Sequence, residues 1–111
     1  MQIHWDSDKL KEQLENSEFL ISKYDLKVEK KVAQRLIELA EADNYTKVPV
    51  SSGKHSIKEG KKFLYFAVDL PSISGKRSKN RLIFEPFGSY DPANQSTITA
   101  IKILGIKNYH K

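Results

Sequence analysis

His55 and Lys58 stand three residues apart at the start of the most basic stretch of the chain. Arg81 opens a short apolar run, and Tyr109-His110 lie at the end of the last one. Together these side chains suit proton transfer beside a phosphate. An imidazole titrates near neutrality and serves as general base or acid. An ammonium and a guanidinium offset the charge that builds on a phosphorane, the guanidinium with bidentate geometry. A phenol donates a hydrogen bond or stacks on a base. The reaction these groups fit is metal-independent scission of single-stranded RNA. A base takes the proton of a 2′-hydroxyl, the oxygen attacks the adjacent phosphate, and an acid protonates the leaving 5′ oxygen.

Each residue also has a plainer role. A histidine next to a chain end is commonly frayed, a strand-end tyrosine commonly lids a core edge, and His55 in a Ser-Gly-Lys-His loop is by default an idle surface group. Arg81 can pair with Asp69 or Glu85, a surface ion pair of small energetic weight. What lifts these residues above that background is their co-occurrence in one basic region. Residues 53–81 hold Lys54, Lys58, Lys61, Lys62, Lys76, Arg77, Lys79 and Arg81 against only Glu59 and Asp69. Residues 1–52 carry ten acids and eight bases, within a net charge of +5 for the chain. Such clustering is the electrostatic footprint of a phosphate-binding face, with Lys54, Lys61, Lys62, Lys76, Arg77 and Lys79 as the expected nucleic-acid contacts. A solvated lysine-rich surface is the alternative.

Several classes are disfavoured. There is no cysteine, hence no disulfide or thiolate chemistry, in keeping with a reducing cytoplasm. Three scattered histidines (His4, His55, His110) do not predict a metal site, and no Gly-rich phosphate loop, nucleophile elbow, HExxH or CxxC motif calls for a cofactor. No apolar stretch approaches the roughly 20 residues of a membrane span, and the first residues do not read as a secretory signal.

The elements that must position the candidate residues read as follows. The 111 residues are of single-domain size. Met1–Trp5 has the alternation of a short edge strand. Leu10, Leu14 and Ile21 predict a helix over about residues 8–22, with Asp6, Ser7 and Asp8 at its start. Val28, Val32, Leu36, Leu39 and Ala40 predict a second helix over 26–42, capped by Asp25 and stopped near Asn44. Strands follow at Phe63–Leu70, Arg81–Phe84 and Thr97–Ile106, with a polar hairpin link at 72–80. The expected class is α+β: two N-terminal helices packed on one face of a twisted antiparallel sheet of three to four strands.

The stretches Phe66-Ala67-Val68-Asp69-Leu70, Arg81-Leu82-Ile83-Phe84-Glu85-Pro86 and Ile101-Lys102-Ile103-Leu104-Gly105-Ile106-Lys107-Asn108-Tyr109-His110-Lys111 resemble the RelE/ParE toxin superfamily. The similarity is greatest to the HigB-like "killer protein" branch of type II toxin–antitoxin systems. Arg35-Leu36-Ile37-Glu38-Leu39 and His55-x-x-Lys58-x-Gly60 extend it to roughly residues 24–111. The resemblance implies a ribosome-dependent mRNA endoribonuclease, cytoplasmic, needing no cofactor. A cognate helix-turn-helix antitoxin would hold it inactive, and operator DNA would be bound only through that antitoxin. It places binding and cleavage on His55, Lys58, Arg81, Tyr109 and His110. Two departures stand out: the family's usual Asp-Tyr-His ending reads Asn108-Tyr109-His110, and the glycine expected before the central aromatic strand is replaced by Phe63-Leu64. They motivate an alternative, a non-cleaving module that acts on gyrase as ParE-like relatives do or serves in a repressor complex.

Overall fold

A computed structural model of the chain describes residues 1–59, 62–71 and 79–109. Among them, five strands form one sheet: β1 (Gln2–Trp5), β2 (His55–Glu59), β3 (Lys62–Leu70), β4 (Lys79–Pro86) and β5 (Ala100–Tyr109). Their order is β1-β5-β4-β3-β2. Three α-helices precede β2: α1 (Asp8–Leu14), α2 (Ser17–Lys23) and α3 (Leu26–Glu41). The class is the expected α+β. Strands β2 to β5 form an antiparallel meander, while β1 joins β5 in parallel, with Ile3 opposite Ile101 and Trp5 opposite Ile103. The sheet is therefore mixed. A parallel neighbour needs a long crossover, and the helical segment between β1 and β2 lies within it.

The first predicted helix is two. Its apolar positions are compatible with one element, but Asn16 interrupts it by accepting a hydrogen bond from the Phe19 N–H (3.1 Å), thereby starting α2. The break resets the phase: Leu14 and Leu20 are buried, and Ile21 is left exposed. Ser7 and Asp25 cap α1 and α3 in the same way, through Leu10 N–H (3.1 Å) and Val28 N–H (2.9 Å). Asn44, expected to stop α3, instead caps the turn Tyr45–Lys47 that follows it.

Helix α3 buries Val28, Val32 and Leu39 completely, whereas Ala40, expected on that stripe, is exposed. They pack against Phe66, Val68 and Leu70 of β3, Leu82 and Phe84 of β4, and Ile101 and Ile103 of β5. Side chains alternate across a strand, so these residues define one sheet face, and α1 and α2 contribute Leu14 and Leu20 to the same cluster. The residues between them (Ala67 and Asp69 on β3, Arg81 and Ile83 on β4) belong to the opposite face. None of these four belongs to the helix-packed cluster; Ala67 and Ile83 are buried, while Asp69 and Arg81 are partly exposed. The expected functional strands thus have one side given to the helical core and a second, the open face, outside it.

Candidate functional site

Strand β2 converts His55 from a loop residue into part of the open face. The chain enters β2 from a turn closed by Gly53, whose φ of 72° lies in the left-handed region that favours glycine. His55 then sits opposite Ala67, diagonal to Asp69, within reach of a long side chain on the same face. Its Nε2 donates to Asp69 Oδ1 at 2.8 Å. An ionised carboxylate only accepts, so Nε2 carries a hydrogen; in the neutral ring the lone pair then lies on Nδ1, the position from which the ring can act as a base.

Asp69 lies opposite Arg81, and Arg81 lies opposite Lys107. One row of the open face therefore runs acid, guanidinium, ammonium across three strands about 4.8 Å apart. Arg81 Nε is 3.5 Å from Asp69 Oδ1, the same oxygen that His55 engages. All three side chains are partly exposed, so the cluster is reachable. Arg35, a buried residue of α3, fixes the strand from beneath. Its Nε donates to the Asp69 backbone carbonyl at 2.9 Å, and its Nη1 pairs with Glu38 at 2.9 Å.

Gly53 has a second role here. A Cβ at this position would fall 2.2 Å from Asp69 Oδ2. Gly53→Ala should therefore cost about 1–3 kcal/mol from backbone strain alone and push the Asp69 carboxylate away from His55. The expected outcome is a lower urea midpoint together with a changed His55 ring shift by NMR. An unchanged ring shift would mean that Asp69 does not depend on this glycine.

The other expected site residues divide. Lys79 is two positions from Arg81 on β4, hence on the same face, and is exposed. Tyr109 closes β5 in register with Lys79, which brings the end of the last strand to the cluster. Lys58 pairs with Phe63 just after a register shift, and Lys62 pairs with Glu59; only their backbones are described. Lys54 is not in the cluster: its Nζ lies 5.2 Å from the ring centre of Tyr45, a residue stacked on core Phe66 at 4.0 Å. His110, Lys61, Lys76 and Arg77 lie outside the described residues. Among the described residues, no group of three or more His, Asp and Glu side chains is placed to hold a metal ion. His4 stacks on Phe87 at 4.1 Å.

Asn108 points away from this site. Its Nδ2 donates to Asn80 Oδ1 at 3.0 Å, and Asn80, fully buried, donates to the Pro71 carbonyl at 3.1 Å. Asn80 shares the core face with Leu82 and Phe84. An aspartate at 108 would lose the donor that Asn80 Oδ1 accepts from, so the amide has a structural reason of its own.

Sequence reasoning missed three groups: Asp69 as partner of His55, Lys107, and Gly53. Lys107 carried one available signal, since it stands two residues before Tyr109 on a strand and therefore shares its register parity. Asp69 carried none, because its closeness to His55 depends on the β2–β3 register. No protein-family model, no curated protein and no solved structure matches the chain.

Proposed function

We propose that this chain is the toxin of a type II toxin–antitoxin pair, a ribosome-dependent endoribonuclease that cuts mRNA and halts translation in the cytoplasm. The observation that carries the reading is the His55–Asp69–Arg81 cluster on the open sheet face, at two of the positions that the resemblance to the HigB-like branch singles out. Arg81 and Lys107 receive the scissile phosphate, with Lys79 beside them. The Asp69 carboxylate holds His55 through Nε2 and leaves Nδ1 for proton transfer. His110 supplies the second imidazole, so that one ring removes the 2′-hydroxyl proton and the other protonates the 5′ oxygen. Tyr109 hydrogen-bonds or stacks at the nucleotide, and Lys58 adds positive charge. The ribosome orients the mRNA, which lets modest groups suffice. A helix-turn-helix antitoxin is the expected partner, with operator DNA bound through it.

Mapping the 5′ ends of cellular mRNA after induction tests the reading. New ends phased with codons are the expected result; growth arrest with intact mRNA overturns it. The replacement of the family's aspartate by Asn108, with its side chain committed to Asn80, favours one second reading: a non-cleaving module directed at gyrase or at repressor assembly. Induced DNA damage without new mRNA ends would support its gyrase arm.

A further inference from the structure

Beside the His55–Asp69–Arg81 row, the open face carries a hollow of about 250 Å³, lined by Tyr65, Ile83, Leu104, Gly105, Ile106 and Lys107. Its origin is a β-bulge. The β4–β5 register slips between Ile83 and Phe84, so that Ile83 faces Gly105, Phe84 faces Ile103, and Leu104 is the extra residue. Gly105 takes φ 141°, a value glycine tolerates and other residues rarely adopt. Bulges of this kind occur next to sites, where they re-aim a side chain. The bulge residue Leu104 thus joins Ile83, the aromatic Tyr65 and the basic Lys107 in one lining.

We infer that this hollow is a stacking subsite for one unpaired nucleobase of single-stranded RNA. The inference deepens the nuclease reading and rests on it for the identity of the polymer. Three observations carry it. The size lies below the roughly 300 Å³ at which sites for whole small molecules begin, which fits a single planar group. The lining joins an aromatic ring and aliphatic side chains to a cation, the combination that binds bases without sequence readout and tracks their backbone. The position is also apt: Ile83 is two residues along β4 from Arg81, about 7 Å on a strand. A phosphate at Arg81 and Lys107 therefore leaves its own nucleotide's base within reach of Tyr65. An aliphatic ligand would not need the flanking cations, and a larger peptide side chain would not need the phosphate-sized spacing from Arg81.

The test is a titration of a short single-stranded RNA carrying 2-aminopurine at one position, alongside the same RNA abasic at that position. Wild type and Tyr65→Phe are expected to quench the fluorophore and bind with equal affinity. Tyr65→Ala should weaken binding by about tenfold or more, matching the abasic RNA on wild type. Lys107→Ala should lower the slope of log affinity against log salt by about 1. Leu104→Gln, which replaces an apolar side of the hollow by a neutral polar chain, should reproduce the direction of the Tyr65→Ala loss, should that variant prove misfolded by circular dichroism. A folded Tyr65→Ala that quenches and binds like wild type overturns the subsite, as does a wild type that quenches no RNA. RNA that stacks but is never cut on ribosomes would remove the nuclease reading and leave the subsite standing. Codon-phased cutting with unchanged binding by Tyr65→Ala would do the reverse.

Discussion

On the proposed nuclease reading, cells expressing Arg81→Ala are expected to keep growing where the wild-type chain would arrest them, because cleavage on the ribosome should fall by about 10²–10³-fold. The guanidinium sits at the centre of the site row, between Asp69 on one side and Lys107 on the other. A phosphorane carries more negative charge than the phosphate it forms from, so donors aimed at it act mainly on the transition state. Arg81→Lys keeps the charge and loses the planar fork, and should recover only part of the rate. The fold should survive both changes, since Arg81 lies on the open face and not in the core; an unchanged circular dichroism spectrum checks this. A folded Arg81→Ala that remains fully toxic would remove the phosphate role. In the same assay His110→Ala should be non-toxic and folded, and toxicity at wild-type level would take His110 out of the mechanism.

The parts of this fold that were legible in the chain are those written in local periodicity. Helix α3 follows from its apolar spacing and Asp25, and β3 follows from an aromatic run closed by Pro71. What was not legible depends on competition or on pairing. The 8–22 helix fails because one side chain, Asn16, offers the Phe19 N–H a better partner than the continuing helix does. Ala40 was expected on the buried stripe, and Arg35 was not. The reverse holds because the Arg35 guanidinium finds the Asp69 carbonyl and Glu38 waiting at the helix–sheet boundary, a buried charge made tolerable by its partners.

The site divides along the same line. Residue types picked out His55 and Arg81, but their relation passes through Asp69, and a diagonal contact across two strands exists only once the register is set. A one-residue slip of β2 would send His55 to the core face and end the contact. Asn108 shows the converse. In sequence it reads as a damaged catalytic motif; in the fold it completes an amide chain from β5 through Asn80 to Pro71, on the side of the sheet opposite Arg81. Loss of a carboxylate there leaves the His55–Asp69–Arg81 row intact, and its bearing on the cleavage proposal is confined to the neighbouring His110.

Phe84→Ala should lower the unfolding free energy by about 3–5 kcal/mol, the usual cost of truncating a fully buried aromatic. Phe84 is completely buried on β4 and forms an aromatic cluster with Phe66, at 6.0 Å between ring centres, and Tyr45, at 6.1 Å. Tyr45 and Phe66 are themselves stacked at 4.0 Å. The cavity would open on the core face directly beneath the strand that carries Arg81 and Ile83, and aromatic pairing energy would be lost beyond the area term. Small domains have about 5–15 kcal/mol to lose, so the variant should show a large drop in urea midpoint with little change in slope. The neighbouring Ile83 provides the contrast. It is buried on the other face, outside the helix-packed cluster, and Ile83→Val should cost only about 0.5–1.5 kcal/mol. Equal losses at the two positions would mean that Ile83 is packed as tightly on its face as Phe84 is in the helical core.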